Sequence, residues 1–187
     1  MEKKVAVVAF GRFQPPTTGH EKMIRHVAGL AHRLGGDAHV FPSPSHGDGN
    51  PLEHSKKVGY LKSMFPYVNV SHDKKIASPF HAMKHLSDKG YTHVHLVAGG
   101  DRVSEYEGAI RKYIKHPDPK KSFNFDHFEV VNAGHRDPKA SGVTGMSGTK
   151  MRHAVSTGDY KTFKSGLPSR ADGKTARSLW HDLRRNT

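Results

Sequence analysis

The stretch V-A-V-V-A-F-G-R-F-Q-P-P-T-T-G-H, residues 5–20, joins a strand pattern to a helix pattern through a loop rich in proline and glycine. Its first part, Val5–Phe10, is a continuous apolar run, which is typical of a strand buried on both faces of a parallel sheet. After the loop, apolar residues recur at helical spacing from His20 to Leu34, where two glycines end the pattern. The stretch therefore predicts the first strand-helix unit of an α/β domain.

The same alternation of strand and helix patterns continues along the chain. Further strands are predicted at Ala38–Phe41, Tyr67–Val70, His93–Ala98 and Phe128–Val131, and further helices at Leu52–Phe65, Ala77–Leu86, Val103–Ile114 and Ser147–Val155. Short loops between alternating elements favour a Rossmann-like, doubly wound parallel sheet with helices on both faces. We expect one domain over residues 1–162 and a basic C-terminal tail over residues 163–187, with a short helix at Thr175–Leu183.

Composition narrows the classes of partner. The chain has 187 residues, with 30 Lys and Arg against 17 Asp and Glu, so its formal charge is +13. Such a surface predicts attraction to nucleotides, nucleic acid or another polyanion, the alternative being a solvated charged surface with no anionic partner. No apolar run approaches the ~20 residues of a membrane helix, so no membrane partner is expected.

Cysteine and histidine bear on metal and redox chemistry. The absence of cysteine excludes disulfides, thiolate zinc sites and cysteine nucleophiles, and it suits a reducing cytoplasm. The 16 histidines show no H-E-x-x-H or similar ligand spacing. The sequence therefore predicts no metal site built from protein side chains.

The loop after the first strand has the composition of an anion-binding turn. Gly11 permits a sharp turn off the strand, and the two prolines stiffen the loop. Gly19 lets the backbone approach a ligand closely, and His20 stands at the start of a helix whose free N–H groups favour a phosphate. The alternative is a tight connection with an ordinary helix cap.

A second motif, S-G-T-K-M-R, occupies residues 147–152 and follows Gly142 and Gly145. Ser147 or Thr149 can cap a helix, which directs the amides of the first turn toward solvent or an anion. The basic residues of the motif add positive charge at that end. A capped basic helix with no ligand has the same pattern.

The segment Gly99-Gly100-Asp101-Arg102 follows the strand predicted at His93–Ala98. Its glycines would allow a nucleotide to lie against the strand end. Asp101 could accept hydrogen bonds from ribose hydroxyls, order a nearby cation, or cap the next helix.

The polar loop at residues 43–57 follows the second predicted strand and could form a mobile lid or a substrate wall, or be an ordinary solvent loop. Candidate acceptor-binding residues are Asn50 and Lys56, with Phe80 and His81 as further candidates. Spacing alone does not reveal which of these side chains meet.

The two motifs together, G-R-F-Q-P-P-T-T-G-H and the distant S-G-T-K-M-R, resemble the HxGH superfamily of nucleotidyltransferases over about residues 5–160. The chain is most similar to archaeal-type nicotinamide-mononucleotide adenylyltransferases. The A-G-H-R-D-P run at residues 133–138 is also similar to small phage-encoded members. Thr17 stands where the first His of HxGH falls, as it does in pantetheine-phosphate adenylyltransferases.

The resemblance implies transfer of a nucleoside monophosphate, AMP from ATP, onto a phosphate-bearing acceptor, nicotinamide mononucleotide, with release of pyrophosphate. Cytidylyl transfer and phosphopantetheine adenylyl transfer are the alternatives within the superfamily. Mg²⁺ would accompany the triphosphate and keep most of its waters, without protein ligands. A cytoplasmic location follows, in the host cytoplasm for a phage-encoded protein.

The resemblance also implies roles for single residues. His20, supported by Thr17, would donate to a phosphate oxygen, and Lys150 or Arg152 would neutralise the leaving pyrophosphate. The implied nucleotide-binding residues are Gly11, Arg12, Phe13, Gln14, Gly19, Gly100, Asp101, Ser147 and Thr149. The rival hypothesis, motivated by the charge of +13 and the basic tail, is a catalytically inactive nucleic-acid-binding protein on the same fold, whose binding would fall steeply with salt.

Overall fold

Five strands lie side by side in the computed structural model, which describes residues 2–134 and 146–186. They are β1 (Val5–Gly11), β2 (Asp37–Pro42), β3 (Asn69–Val70), β4 (His93–Ala98) and β5 (His127–Asn132). All neighbouring pairs are parallel, and the order across the sheet is β3-β2-β1-β4-β5. The chain runs outward from β1 to β3 and then crosses to the other side of β1. The predicted doubly wound topology is confirmed.

Helices alternate with these strands as the sequence pattern predicts. They are α1 (Thr18–Leu34), α2 (His54–Met64), α3 (Pro79–Asp88), α4 (Val103–Arg111), α5 (Gly148–Thr157), α6 (Tyr160–Ser165) and α7 (Gly173–Arg185). Three predicted elements are too long, since α4 ends before Ile114, β3 starts after Tyr67, and α2 covers only His54–Met64 of the predicted Leu52–Phe65. The short α6 was not predicted, because six residues carry too little periodicity. No helix in the described ranges is long and apolar enough to cross a bilayer.

The two faces of the sheet are covered by different helices. On one face, Val7 of β1 packs with Val27 of α1. On the opposite face, Val8 of β1 packs with Met83 of α3 and Ile110 of α4. Alternate residues of a strand point to opposite faces, so the apolar run of β1 is buried on both sides. The structure is a Rossmann-like α/β domain with helices on both faces.

Residues after 162 pack against this domain. Leu179 and Leu183 of α7 are fully buried, in one cluster with Leu61 of α2. The Trp180 ring meets the ring of Phe163 at 5.2 Å, edge to face. The boundary at residue 162 stays a prediction, but the second half of the basic tail contributes to the hydrophobic core.

Candidate active site

The turn after β1 places the Phe13 ring against the imidazole of His20. Phe13 adopts a left-handed backbone conformation with φ of 51° and is buried, with 1% of its surface exposed. Its ring meets the imidazole of His20 edge to face, with centroids 4.7 Å apart. A Cβ at Gly11 would stand 3.1 Å from this ring, so the glycine leaves the space that Phe13 needs. The predicted nucleotide-binding residue Phe13 thus packs under the imidazole.

His20 is held at the start of α1 by a reciprocal cap. The Thr17 hydroxyl accepts from the His20 amide at 3.3 Å, and the Thr17 amide donates to Nδ1 of His20 at 3.0 Å. This is a capping box in which histidine takes the place of the usual Glu or Gln. Because Nδ1 accepts from an amide, the neutral ring carries its proton on Nε2.

Thr17 is the N-cap of α1, at the position where the HxGH pattern has its first histidine. The residue is buried, and its hydroxyl oxygen lies 3.2 Å from Nδ1 of His20. Threonine is a favoured N-cap residue and histidine is not, so the substitution strengthens the start of α1. Gly19 lies in the first turn of the same helix.

Gln14 ties the loop after β1 to the loop after β2. Its side chain donates to the Leu52 carbonyl at 3.0 Å and to the Ser45 carbonyl at 3.2 Å. The Leu52 amide donates back to Oε1 at 2.8 Å. With 2% of its surface exposed, Gln14 uses its amide for this cross-link.

The second motif meets the first at the backbone of Gln14. Nη1 of Arg152, on α5, donates to the Gln14 carbonyl at 2.7 Å, and Nη2 donates to the Thr149 hydroxyl at 3.3 Å. A Cβ at Gly148 would stand 3.2 Å from the same carbonyl, so glycine permits this close approach. Ser147 caps α5 by accepting from the Lys150 amide. The contact between Arg152 and Gln14 therefore brings the two distant motifs together.

Positive charge gathers where these loops meet. Lys57 of α2 is fully buried, and its Nζ donates to the Ser43 carbonyl at 2.5 Å. Burial, and then repulsion from Arg12, lowers the pKa of Lys57 to about 8. The same two causes lower the pKa of Arg152. We call the region formed by Arg12, His20, Lys57, Gly148 and Arg152 the cationic cleft.

Among the described residues, no carboxylate forms an ion pair with the lysine or the two arginines of the cationic cleft. None of the ion pairs found there includes Arg12, Lys57 or Arg152. The guanidinium and ammonium groups instead use carbonyl and hydroxyl oxygens. Like charges held together in a partly buried region favour an anionic ligand.

The ends of β4 and β5 border the same edge of the sheet. Asp101 is exposed, and one of its carboxylate oxygens lies 2.9 Å from the place of a Cβ on Gly99. The N-cap of α4 is Arg102, without a side-chain bond, so the alternative that Asp101 caps this helix is wrong. The Gly100 amide donates to the Gly134 carbonyl at 3.4 Å.

Two of the candidate acceptor-binding residues lie in different surroundings. Asn50, in the loop before α2, has a buried Oδ1 atom with no hydrogen-bond partner among the described residues. The Nε2 atom of His54 is likewise buried and has no partner among them. Lys56 instead pairs with Asp182 of α7 at 2.9 Å. It lines a groove of about 550 Å³, the α2–α7 groove, together with Tyr60, Ser178 and Asp182.

The two further candidates, Phe80 and His81, belong to α3. The ring of Phe80 meets that of Tyr113 at 5.8 Å, and Nδ1 of His81 accepts from the Ala77 amide. Gly142, Gly145 and residues 135–138 lie outside the described residues.

Sequence reasoning passed over two lysines. Lys57 was noted only as part of a basic pair, because nothing in the sequence distinguishes it from Lys56. Lys22 of α1 brings its Nζ to 3.3 Å from the place of a Cβ on Gly134, at the end of β5. Lys22 lies in the second turn of α1, on the side that faces the sheet edge. That position in the predicted helix is the feature from which the sequence could have identified it.

No family model and no curated protein matches the sequence. Solved structures do match in fold. Nicotinic acid mononucleotide adenylyltransferase of Plasmodium falciparum, in complexes with APC and NaAD, gives TM-scores of 0.59 and 0.61, with 14% identity over 98% of both chains. A candidate nicotinate-nucleotide adenylyltransferase of Vibrio parahaemolyticus gives 0.59, with 17% identity over 98% of this chain and 97% of that one.

A third match is TmcAL of Thermotoga maritima, bound with α-thio ATP. Its TM-score is 0.56 and its identity 12%, over 97% of this chain and 55% of the other. These likenesses establish the fold shared with the nucleotidyltransferase structures. Sequence identities of 12–17% extend the likeness to the fold and no further.

Proposed function

We propose that this protein is a nucleotidyltransferase that moves AMP from ATP onto a phosphate-bearing acceptor of the pyridine mononucleotide class. The observation that carries the proposal is the contact of Arg152 with the backbone of Gln14. This contact brings the start of α5 to the loop that leads into α1. Two helix N-termini, His20 and three cations are then gathered in one region, which suits the phosphates of a nucleoside triphosphate.

The reaction needs no protein nucleophile. An oxygen of the acceptor phosphate attacks the α-phosphorus of ATP, and the bond from that phosphorus to the oxygen bridging the β-phosphate breaks. The bond electrons leave with pyrophosphate. Catalysis is then positioning together with stabilisation of charge on the phosphoryl oxygens, as in other phosphoryl transfers.

The residues of the cationic cleft divide this work. His20 donates from Nε2 to a phosphate oxygen, because its other ring nitrogen is held by the Thr17 amide. Arg152 and Lys150, at the start of α5, neutralise the leaving pyrophosphate, together with amides of the first turn. Lys57 supplies a fully buried ammonium group behind the Ser43 carbonyl, and an anion bound near it stabilises its charged form through their electrostatic attraction.

Mg²⁺ belongs to this chemistry as a companion of the triphosphate. The donor groups of the cationic cleft are guanidinium, ammonium, imidazole and hydroxyl, which suit phosphate oxygens and not a bare cation. When bound, the ion neutralises charge on the phosphate oxygens. The residues that would hold its complex with ATP, through the phosphates, are Lys150 and Arg152.

The acceptor is assigned on two grounds. The fold relative from Plasmodium falciparum was solved with NaAD, and the Asn50 amide offers a buried oxygen for a donor group on a ligand. Both nicotinamide mononucleotide and its nicotinic acid counterpart fit this proposal. Nucleic-acid binding through the basic surface stays a prediction without structural support.

The test measures pyrophosphate release with Mg²⁺, using ATP or CTP as donor. The acceptors are nicotinamide mononucleotide, nicotinic acid mononucleotide and phosphopantetheine, and mass spectrometry identifies the product. We expect release only when ATP and a pyridine mononucleotide are both present, and release slowed by about 10²–10³-fold in the His20→Ala variant. Absence of pyrophosphate with every donor and acceptor would overturn the proposal, and release with CTP or phosphopantetheine alone would overturn the assigned substrates.

A further inference from the structure

Two histidines and a glutamate meet on the sheet, outside the cationic cleft. His95 lies on β4, and His127 and Glu129 lie on the neighbouring strand β5. The register pairs His95 with Glu129 and His93 with His127, so these side chains share one face of the sheet. His95 stands three residues before the end of β4, which separates the cluster from the loops of the cleft.

The distances in this cluster are those of metal ligands. Nδ1 of His95 lies 3.2 Å from Oε2 of Glu129, and Nε2 of His127 lies 3.5 Å from the same oxygen. All three ligand atoms lie within 4.8 Å of one another. Ligands at about 2.1 Å from a tetrahedral zinc ion stand about 3.4 Å apart, so the two measured separations match the edges of such a site.

The chemistry of the three groups agrees with this geometry. The 3.2 Å separation between Nδ1 of His95 and the Glu129 carboxylate is that of a hydrogen bond through an imidazole proton, and a bound cation would take the place of this proton. The set of two imidazoles and one carboxylate is a common one for divalent transition metals.

Access and support also suit an ion. The side chain of His95 is 12% exposed, while those of His127 and Glu129 are 48% and 52% exposed. The ligand on β4 is therefore largely buried, and the two ligands on β5 are accessible to solvent. Water can complete the coordination on the open side.

We propose that His95, His127 and Glu129 bind a divalent transition-metal ion of the zinc class, which ties strand β5 to β4. This departs from the expectation that no protein side chains form a metal site. That expectation rested on ligand spacings of helices. On a strand, ligands of one face recur every second residue, as in H-x-H at 93–95 and H-x-E at 127–129.

The test titrates zinc into the 187-residue chain after a chelator has removed bound metal. Calorimetry in the presence of a competing chelator then measures the zinc affinity. Co²⁺ serves as a second probe, since its absorption spectrum reports tetrahedral coordination. Loss of an outer-shell partner weakens metal sites by about 10–100-fold, so removal of a direct ligand should weaken zinc binding by about 100-fold or more. We expect this for both His127→Ala and Glu129→Gln, with one ion bound per wild-type chain.

The control for scattered surface histidines is His181→Ala, on the exposed side of α7. It should leave the zinc affinity unchanged. Circular dichroism without metal checks that the variants fold, and zinc should raise the melting temperature of the wild type but not that of Glu129→Gln. Equal affinity of the wild type and Glu129→Gln, or equal loss in His181→Ala, would overturn the proposal.

Discussion

Lys56 lies in the α2–α7 groove and the adjacent Lys57 lies in the cationic cleft. The two lysines differ in whether a carboxylate compensates their charge. In the groove, Lys56 pairs with Asp182, which also accepts from the Tyr60 hydroxyl at 2.5 Å. In the cleft, Lys57 is fully buried with a backbone carbonyl as its partner, and Arg12 repels it. In the groove a carboxylate compensates the charge of Lys56. In the cleft no carboxylate among the described residues pairs with Lys57, so a bound anion could compensate its charge.

The pKa directions express the same contrast. Burial alone would raise the pKa of Asp182, but hydrogen bonds from Tyr60 and Lys56 outweigh it and lower that pKa. For Lys57, burial and Arg12 act in the same direction and lower the pKa. A protein that buries uncompensated charge gives up stability, and such sites concentrate where a ligand binds. The comparison therefore agrees with a structural role for the groove and with the ligand-binding role proposed for the cleft.

The largest effect is expected at His20, the donor of the cleft. Replacing it with Ala removes both the Nε2 donor and the cap on the Thr17 amide, whereas Gln can keep the cap as the usual partner in a capping box. Turnover should fall by about 10²–10³-fold in both variants, the cost of losing one charge-stabilising donor. Only His20→Ala should also lose stability, by about 1 kcal/mol. Steady-state kinetics and thermal melts measure the two effects.

The control for His20 comes from the groove. Asp182→Asn breaks the contacts with Lys56 and Tyr60 and should lower the melting temperature, with little change in turnover. Undiminished turnover in His20→Ala would remove His20 from the mechanism. A loss of turnover in Asp182→Asn as large as that in His20→Ala would abolish the contrast between the two regions.

The second effect separates the adjacent lysines. Lys57→Met removes a charged donor from the cleft and should lower kcat/KM for ATP by about 10–100-fold, which corresponds to a charge-assisted hydrogen bond of about 1.5–3 kcal/mol. Lys56→Met should change kcat/KM less than threefold and cost at most about 1 kcal/mol of stability, as a partly exposed ion pair does. The melting temperature of Lys57→Met should not fall, because a methionine there buries no charge. Equal kinetics for the two variants would contradict the assignment.

The fold was predictable because its signals are local. The apolar run of β1, the helical periodicity of α1 and the alternation of elements each follow from neighbours in sequence, and they define the topology. The meeting of Arg152 with Gln14 could be expected only from the resemblance to a known superfamily, since no local pattern brings residues 138 apart into contact.

The assignment of single side chains was harder. Gln14 and Phe13 have residue types suited to a ligand, yet both are buried and hold the loop in place. The choice between Lys56 and Lys57 depends on which side of α2 faces the sheet, and both positions are compatible with its weak periodicity. The His95 cluster depends on the register of β4 and β5, which the sequence leaves open.

The smallest effect is the contribution that Lys57 makes to the pH dependence of stability. Its pKa is about 8 in the folded protein and about 10.4 in an unfolded chain, so between these values the unfolded chain binds the additional proton. The free energy of unfolding therefore rises with pH above 8, by at most about 1.4 kcal/mol per pH unit, and this group contributes no slope below that range. Urea unfolding from pH 7 to 10 measures it.

Variants of both lysines isolate this slope. Lys57→Met should lack it and Lys56→Met should keep it, because Lys56 is a charged partner of Asp182 in the groove. Bound ATP should reduce the slope in the wild type, since an anion beside Lys57 stabilises the ammonium and raises its pKa. Parallel pH curves for the wild type and Lys57→Met would mean that the buried lysine is charged at no cost to folding, and the cleft would then resemble the groove.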